Sequence, residues 1–189
     1  DIIISIGYKG SNIKEYFGDG SKFGVNITYI EEDPEKPLGT AGPLLKAKKL
    51  LNSTFVMLNA DNLFDIDLDD MNEFHRSRKG TATIALTTVE DPSSYGVAKM
   101  KGNKIIEFIE KPKKGTAPSK LINAGLYILE PEVLDIIPNK KTQTNIETEV
   151  FPKIAKDNKL YGYPFPGYWN DVGTMERYDC AVKEWRGYQ

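Results

Sequence analysis

The chain has 189 residues, with 25 Lys and Arg against 27 Asp and Glu, a net charge of −2 and 40% hydrophobic residues. That length suits one domain with its own core rather than two, and the balanced charge offers no broad cationic surface to nucleic acid or an anionic membrane. The single cysteine, Cys180, can form no internal disulfide, and no apolar run approaches the ~20 residues of a membrane span, so a cytoplasmic location is expected.

The first element is a β-branched run over residues 2–6, which predicts a buried strand of a parallel sheet. Domains seldom open inside such a strand. The expectation is therefore a single domain, 1–189, truncated at its N-terminus. A short helix follows over 11–17, ended by Gly18, then a strand over 26–30. Thr40 can cap a helix running to about 51. A strand over 54–58, an amphipathic helix over 68–79 and a strand over 83–89 complete an alternation that predicts an α/β fold with right-handed crossovers. Further on, Lys101-Gly102-Asn103 joins two strands as a hairpin, and 121–129 reads as another strand. A Pro131-initiated helix, an interrupted helix over 145–157, short strands over 161–165 and 168–171, and a closing helix over 174–185 finish the chain. The Lys-, Gly- and Pro-rich stretch 111–120 reads as a loop.

Several strand ends carry groups with chemical potential. Asp61 directly follows an apolar strand, at the edge where open α/β sheets place ligands, and a hard cation such as Mg²⁺ takes one or two such carboxylates; the bland alternative is a turn former. Asp171 also ends a short strand and precedes a helix, where it could instead be an N-cap. Leu38-Gly39-Thr40-Ala41-Gly42-Pro43 is a small-residue loop at a helix start, suited to close ligand approach but lacking the full phosphate-loop pattern. Glu110-Lys111-Pro112 offers a point charge for phosphate and a carboxylate for hydroxyls, or merely a solvated strand end. Asn123-Ala124-Gly125 inside a strand, and Tyr95-Gly96-Val97, mark places where a ligand can come close. His75 is the only histidine and is expected at the surface or half-buried, so neither a His-based triad nor a zinc site is expected.

Taken in order, Leu38 to Gly42, Asn59-Ala60-Asp61, Tyr95 to Val97, Glu110 to Pro112, Asn123 to Gly125 and Trp169-Asn170-Asp171-Val172-Gly173 resemble the sugar-phosphate nucleotidyltransferase family, the nucleotide-sugar pyrophosphorylases. The resemblance implies a Rossmann-like mixed sheet with helices on both faces. It implies that Leu38, Gly39, Thr40 and Gly42 hold the nucleotide, that Asp61 and Asp171 hold Mg²⁺, and that Lys111 neutralises the sugar phosphate. Glu110, Asn123 and the Gly96 backbone would bind the sugar. The partners implied are a nucleoside triphosphate and a sugar 1-phosphate. The wording around Leu38 and Asn145-Ile146-Glu147-Thr148-Glu149 is most similar to mannose-1-phosphate guanylyltransferases, which favours GTP over UTP and dTTP.

The family also begins with a strand and a Gly-rich loop that wraps the triphosphate, so the chain as it stands is expected to be inactive. The slot left by that strand is expected to be filled by another segment, a partner, or a second copy in a homo-oligomer. Two rival readings remain: a catalytically silent relative that binds nucleotide sugars, and a glycosyltransferase using Asp65-Ile66-Asp67 as a metal motif.

Overall fold

A computed structural model describes residues 1–140 and 142–186. Its elements in chain order are β1 (Ile2–Ile6), α1 (Gly10–Phe17), β2 (Ile27–Glu31), α2 (Gly42–Lys46), β3 (Phe55–Leu58), β4 (Asn62–Phe64), α3 (Leu68–Arg78), β5 (Ala82–Thr88), β6 (Gly96–Lys101) and β7 (Lys104–Glu110). There follow β8 (Leu121–Leu129), α4 (Val133–Ile136), α5 (Ile146–Glu149), α6 (Phe151–Lys156), β9 (Leu160–Pro164), β10 (Trp169–Asp171) and α7 (Met175–Glu184).

Six strands form a mixed sheet in the order β3-β8-β5-β9-β7-β6. β5 lies at its centre, antiparallel to β8 and parallel to β9. Its sequence, Ala-Thr-Ile-Ala-Leu-Thr-Thr, is apolar on both parities at its start, and both faces are covered. Ala82, Ile84 and Leu86 join Tyr127 and Leu129 of β8 in a core closed by Val133, Leu134, Ile146, Phe151 and Ile154 from α4, α5 and α6. On the other face Ala85, Ala124, Leu126 and Ile128 pack against Met71 of α3 with Phe64, Ile66 and Phe165. Period-2 strands between helices thus give the expected α/β sandwich, because each strand side chain set needs its own apolar cover. No helix among the described residues is long and apolar enough to cross a membrane.

Two small sheets stand outside the large one. β1 pairs in parallel with β2, and β4 pairs antiparallel with β10. Among the described residues β1 pairs with β2 alone and β3 with β8 alone, and Ile2, Val56 and Leu58 on these two strands are exposed. These are two apolar strand edges without a second neighbour, a configuration that invites pairing.

The structure corrects three expectations. α2 is a single short turn ending at Lys46, not a helix from 40 to 51. Thr40 does not cap it. Its hydroxyl instead accepts from the Ile146 N–H at 2.9 Å and donates to Glu147 Oε2 at 2.6 Å, so a contact 106 positions away wins over the local one. His75 is buried rather than half-exposed, at 1% exposure, because Thr83 Oγ1 (2.8 Å) and Glu130 Oε1 (3.0 Å) satisfy both ring nitrogens. Asp67 accepts from the Asp70 N–H at 3.0 Å as the N-cap of α3, which engages one member of the Asp65-Ile66-Asp67 pair structurally.

Candidate active site

The β4–β10 ladder brings the two strand-end acids to one place. Asp171 stands opposite Asn62 in the register, and the Val172 N–H donates to the Asp61 carbonyl at 2.8 Å. Asp171 is not the cap of α7; Thr174 fills that role by accepting from the Arg177 N–H at 3.2 Å. The Asp171 carboxylate is 13% exposed and held by three donors: Arg177 Nη1 and the Gly173 N–H at Oδ1, 2.5 and 3.3 Å away, and the Tyr95 hydroxyl at Oδ2, 3.1 Å away. Asp61 is exposed, and no protein donor meets its carboxylate among the described residues.

A bulge in β8 supports this pair. Ile84 and Leu86, two apart on β5, face Tyr127 and Asn123, four apart on β8. The extra residues loop out around Gly125, whose φ of +76° lies in the region glycine tolerates. The carbonyls freed from the β5 ladder become anchors: the Gly125 carbonyl accepts from the Asn59 N–H (2.9 Å), and the Ala124 carbonyl from Asn62 Nδ2 (3.0 Å) and Trp169 Nε1 (2.9 Å). Asn123 keeps its place on the strand, its Nδ2 donating to the Tyr127 hydroxyl at 2.8 Å and its Oδ1 accepting from the Gly125 N–H at 2.9 Å.

Glu110, Lys111 and Gly96 meet at the end of the β6–β7 hairpin. Gly96 faces Glu110 in the register, and a β-carbon there would sit 2.5 Å from the Phe108 ring and 2.7 Å from Glu110 Oε2. The glycine is what admits the carboxylate. Lys111 turns at φ +46°, its N–H donating to the Tyr95 carbonyl at 3.0 Å. Its ammonium is 68% exposed and 4.0 Å from Glu110 Oε1.

The loop around Leu38 to Gly42 docks on the start of α5. Thr144 N–H donates to the Leu38 carbonyl (2.8 Å) and Ala41 N–H to the Thr144 carbonyl (2.9 Å). Gly39, at φ +78°, packs where a β-carbon would lie 2.5 Å from both the Thr144 carbonyl and Asn145 Oδ1, and Gly42 rests against Leu38. Through Thr40 this loop holds Glu147, whose charge reaches both Glu110 and the Tyr127 hydroxyl.

Burial, then the Glu147 charge, push the Glu110 carboxyl above the usual glutamate range, with Lys111 partly opposing. Burial first, then Glu147, likewise push the Tyr127 hydroxyl up, so it stays neutral while it accepts from Asn123. Tyr95 is raised by burial and by Asp171. Because folding holds a proton on Glu110 that the unfolded chain releases, this residue costs stability as pH rises from the ordinary carboxylate range through its raised value. Glu110→Gln is therefore expected to flatten that part of the melting temperature against pH curve. Calorimetry from pH 4.5 to 7 checks it; parallel curves for both proteins would refute the assignment.

All the residues expected at a site therefore fall into one connected region, running from Thr40 through Glu147, Glu110, Gly96 and Tyr95 to Asp171 and Asp61, with Asn123 joined through Tyr127. The Lys111 ammonium is the loosest member. Tyr95, Tyr127, Glu147 and Arg177 belong to the region and were not expected in it as contributing side chains. The one signal available was for Tyr127, which stands four positions from Asn123 and so shares its strand face. A cavity of about 430 Å³ lined by Thr54, His75, Arg76, Lys79, Glu130 and Lys159 lies elsewhere, where β5 begins and β8 ends, and contains none of these residues.

Known proteins share both the sequence pattern and the fold of this chain. The chain is 43% identical over 183 residues to a mannose-1-phosphate guanyltransferase of Candida glabrata, covering 92% of this chain and 48% of that protein. It is 41% identical over 180 residues to the mannose-1-phosphate guanyltransferase of Saccharomyces cerevisiae, with the same coverage. The chain spans about half the length of the curated relatives it matches. Among solved structures, a Bacillus anthracis protein assigned as a glucose-1-phosphate thymidylyltransferase, in complex with sucrose, superposes with a TM-score of 0.87 at 28% identity, covering all of this chain and 78% of that one. HddC of Yersinia pseudotuberculosis complexed with GMP-PN gives 0.77 at 25% identity, over 97% of this chain and 77% of that one. The family model for nucleotidyl transferases matches residues 1–185, and the chain belongs to that family.

Proposed function

We propose that this chain carries the catalytic core of an enzyme that joins a sugar 1-phosphate, mannose 1-phosphate by preference, to GTP and releases pyrophosphate. The observation that carries the reading is the β4–β10 ladder, which sets Asp171 and Asp61, 110 positions apart in sequence, on adjoining backbone. The guanylyltransferase relatives at 41–43% identity favour mannose and GTP, as does the guanine nucleotide analogue bound by HddC.

The donor set fits a divalent cation, Mg²⁺ in this reading. Two carboxylates and no third acid, histidine or cysteine cluster occur there among the described residues, which suits an ion that shares its remaining positions with water and substrate phosphates. Asp61 and Asp171 would hold it. When bound it neutralises charge on the reacting phosphates. Leu38, Gly39, Thr40 and Gly42 position the nucleotide, with Thr40 fixed by α5. Glu110, Asn123 and the Gly96 backbone take the sugar hydroxyls, and the exposed Lys111 ammonium reaches the sugar phosphate. Transfer forms a bond from the sugar-phosphate oxygen to the α-phosphorus and breaks the bond to the β-phosphate. Such chemistry depends on alignment and charge rather than a covalent intermediate.

The unpaired edges of β1 and β3 extend the proposal. A further strand, from the full-length protein or a second copy, pairs with them. Residues 1–189 alone are expected to associate or to melt early in calorimetry; a stable monomer at micromolar concentration would count against this. The function itself is tested with the full-length protein by pyrophosphate release from GTP and mannose 1-phosphate with Mg²⁺, against UTP and dTTP as competitors. Binding of nucleotide sugar with no release from any pair would instead identify a non-catalytic relative.

A further inference from the structure

Arg177 lies on the first turn of α7, beside the candidate acid pair. Its guanidinium is 2.5 Å from Asp171 Oδ1 and 5.8 Å from the centre of the Tyr95 ring, while the Tyr95 hydroxyl occupies Asp171 Oδ2. Its own N–H is fixed to Thr174, and its carbonyl accepts from Asn170 Nδ2 at 3.4 Å, so the base of the side chain is anchored beside β10. One acid of the candidate pair thus has both oxygens taken by protein donors, and the other, Asp61, has neither. The two differ most where a shared cation would need them alike.

We infer that Arg177 is a tethered cation that occupies the metal-binding oxygen of Asp171 and must release it before a divalent ion can bind, so that this side chain sets the metal affinity of the site. The inference rests on the reading of Asp171 as a metal ligand. A carboxylate oxygen facing a guanidinium at hydrogen-bond distance cannot also present that lone pair to a small hard cation, and like charges repel at this range. The guanidinium is 41% exposed against 13% for the carboxylate, so it can swing outward into water while the acid stays in position. Arginine suits the role better than lysine, because its planar fork is weakly hydrated and gives up its partner less readily to solvent.

The test is a Mn²⁺ titration of the full-length protein without nucleotide, following the free-ion signal by electron paramagnetic resonance. Arg177→Ala is expected to bind Mn²⁺ about two- to fivefold more tightly than the native protein, the range that loss of one partly exposed ion pair allows. Arg177→Lys should fall between, and Asp171→Asn should bind at least tenfold more weakly, all with unchanged melting profiles. Unchanged or weaker binding in Arg177→Ala, with Asp171→Asn defective, overturns the tethered-cation role while sparing the metal ligand. Undiminished binding in Asp171→Asn overturns both.

Discussion

Asp171→Asn is expected to lower turnover by about 10²–10³-fold while leaving the fold intact, and Asp61→Asn should do the same. The two substitutions reach that result from different surroundings. Asp61 is exposed and its carboxylate meets no protein donor among the described residues, so the amide replaces the carboxylate with no structural consequence. The Asp171 side chain is only 13% exposed, but the asparagine oxygen can still accept from Tyr95 or Gly173, and Arg177 is exposed enough to turn to water. A partly exposed pair of that kind contributes about 1 kcal/mol to stability. Loss of rate without loss of melting temperature is therefore the signature of removed charge, not of a damaged site. Pyrophosphate release at saturating substrate is the measurement, and a rate within threefold of native for either variant would end the assignment of these acids to the metal.

The candidate site groups were legible because each places, in a strand or at its end, a residue type that has little other reason to be there. Glu110-Lys111-Pro112 and Asn123-Ala124-Gly125 announced themselves in this way, and both fall in the site region. The sheet was legible because β5 and β8 are long apolar runs that must be covered on both faces, and 121–129 was bounded to the residue. What could not be seen is what depends on partners far along the chain. β4 has three residues, too few for any alternation, and exists because β10 pairs with it. Thr40 looked like a local helix cap, yet its hydroxyl is claimed by α5. His75 sits in a helix among Arg and Lys, and its burial follows from Thr83 on β5 and from Glu130, which no sequence window brings near it. Glu147 and Arg177 were missed on the same ground. Their importance is a charge felt across elements, and charge at a distance leaves no mark on spacing.

Gly125→Ala should cost stability and activity together, which separates it from the acid substitutions. At φ +76° any β-carbon is strained by roughly 1 kcal/mol or more. Here it would also stand 1.9 Å from Asn62 Nδ2 and 3.0 Å from Asn59 Nδ2, so Asn62 must leave the Ala124 carbonyl, forfeiting a hydrogen bond worth about 1 kcal/mol. Together these put the loss at about 2–3 kcal/mol, or a melting temperature lower by on the order of 5–10 °C for a domain of this size. Because Asn62 is the register partner of Asp171, displacing it also moves the β4–β10 ladder under the acid, and turnover falls with stability. Gly102→Ala is the matched control. It has φ +58° in the β6–β7 turn with nothing within 4 Å, so it bears the backbone strain without the collision. If the two variants melted and turned over alike, the bulge would be a passive loop. If Gly125→Ala alone fell, the bulge would be the part of the fold that sets the position of the acids.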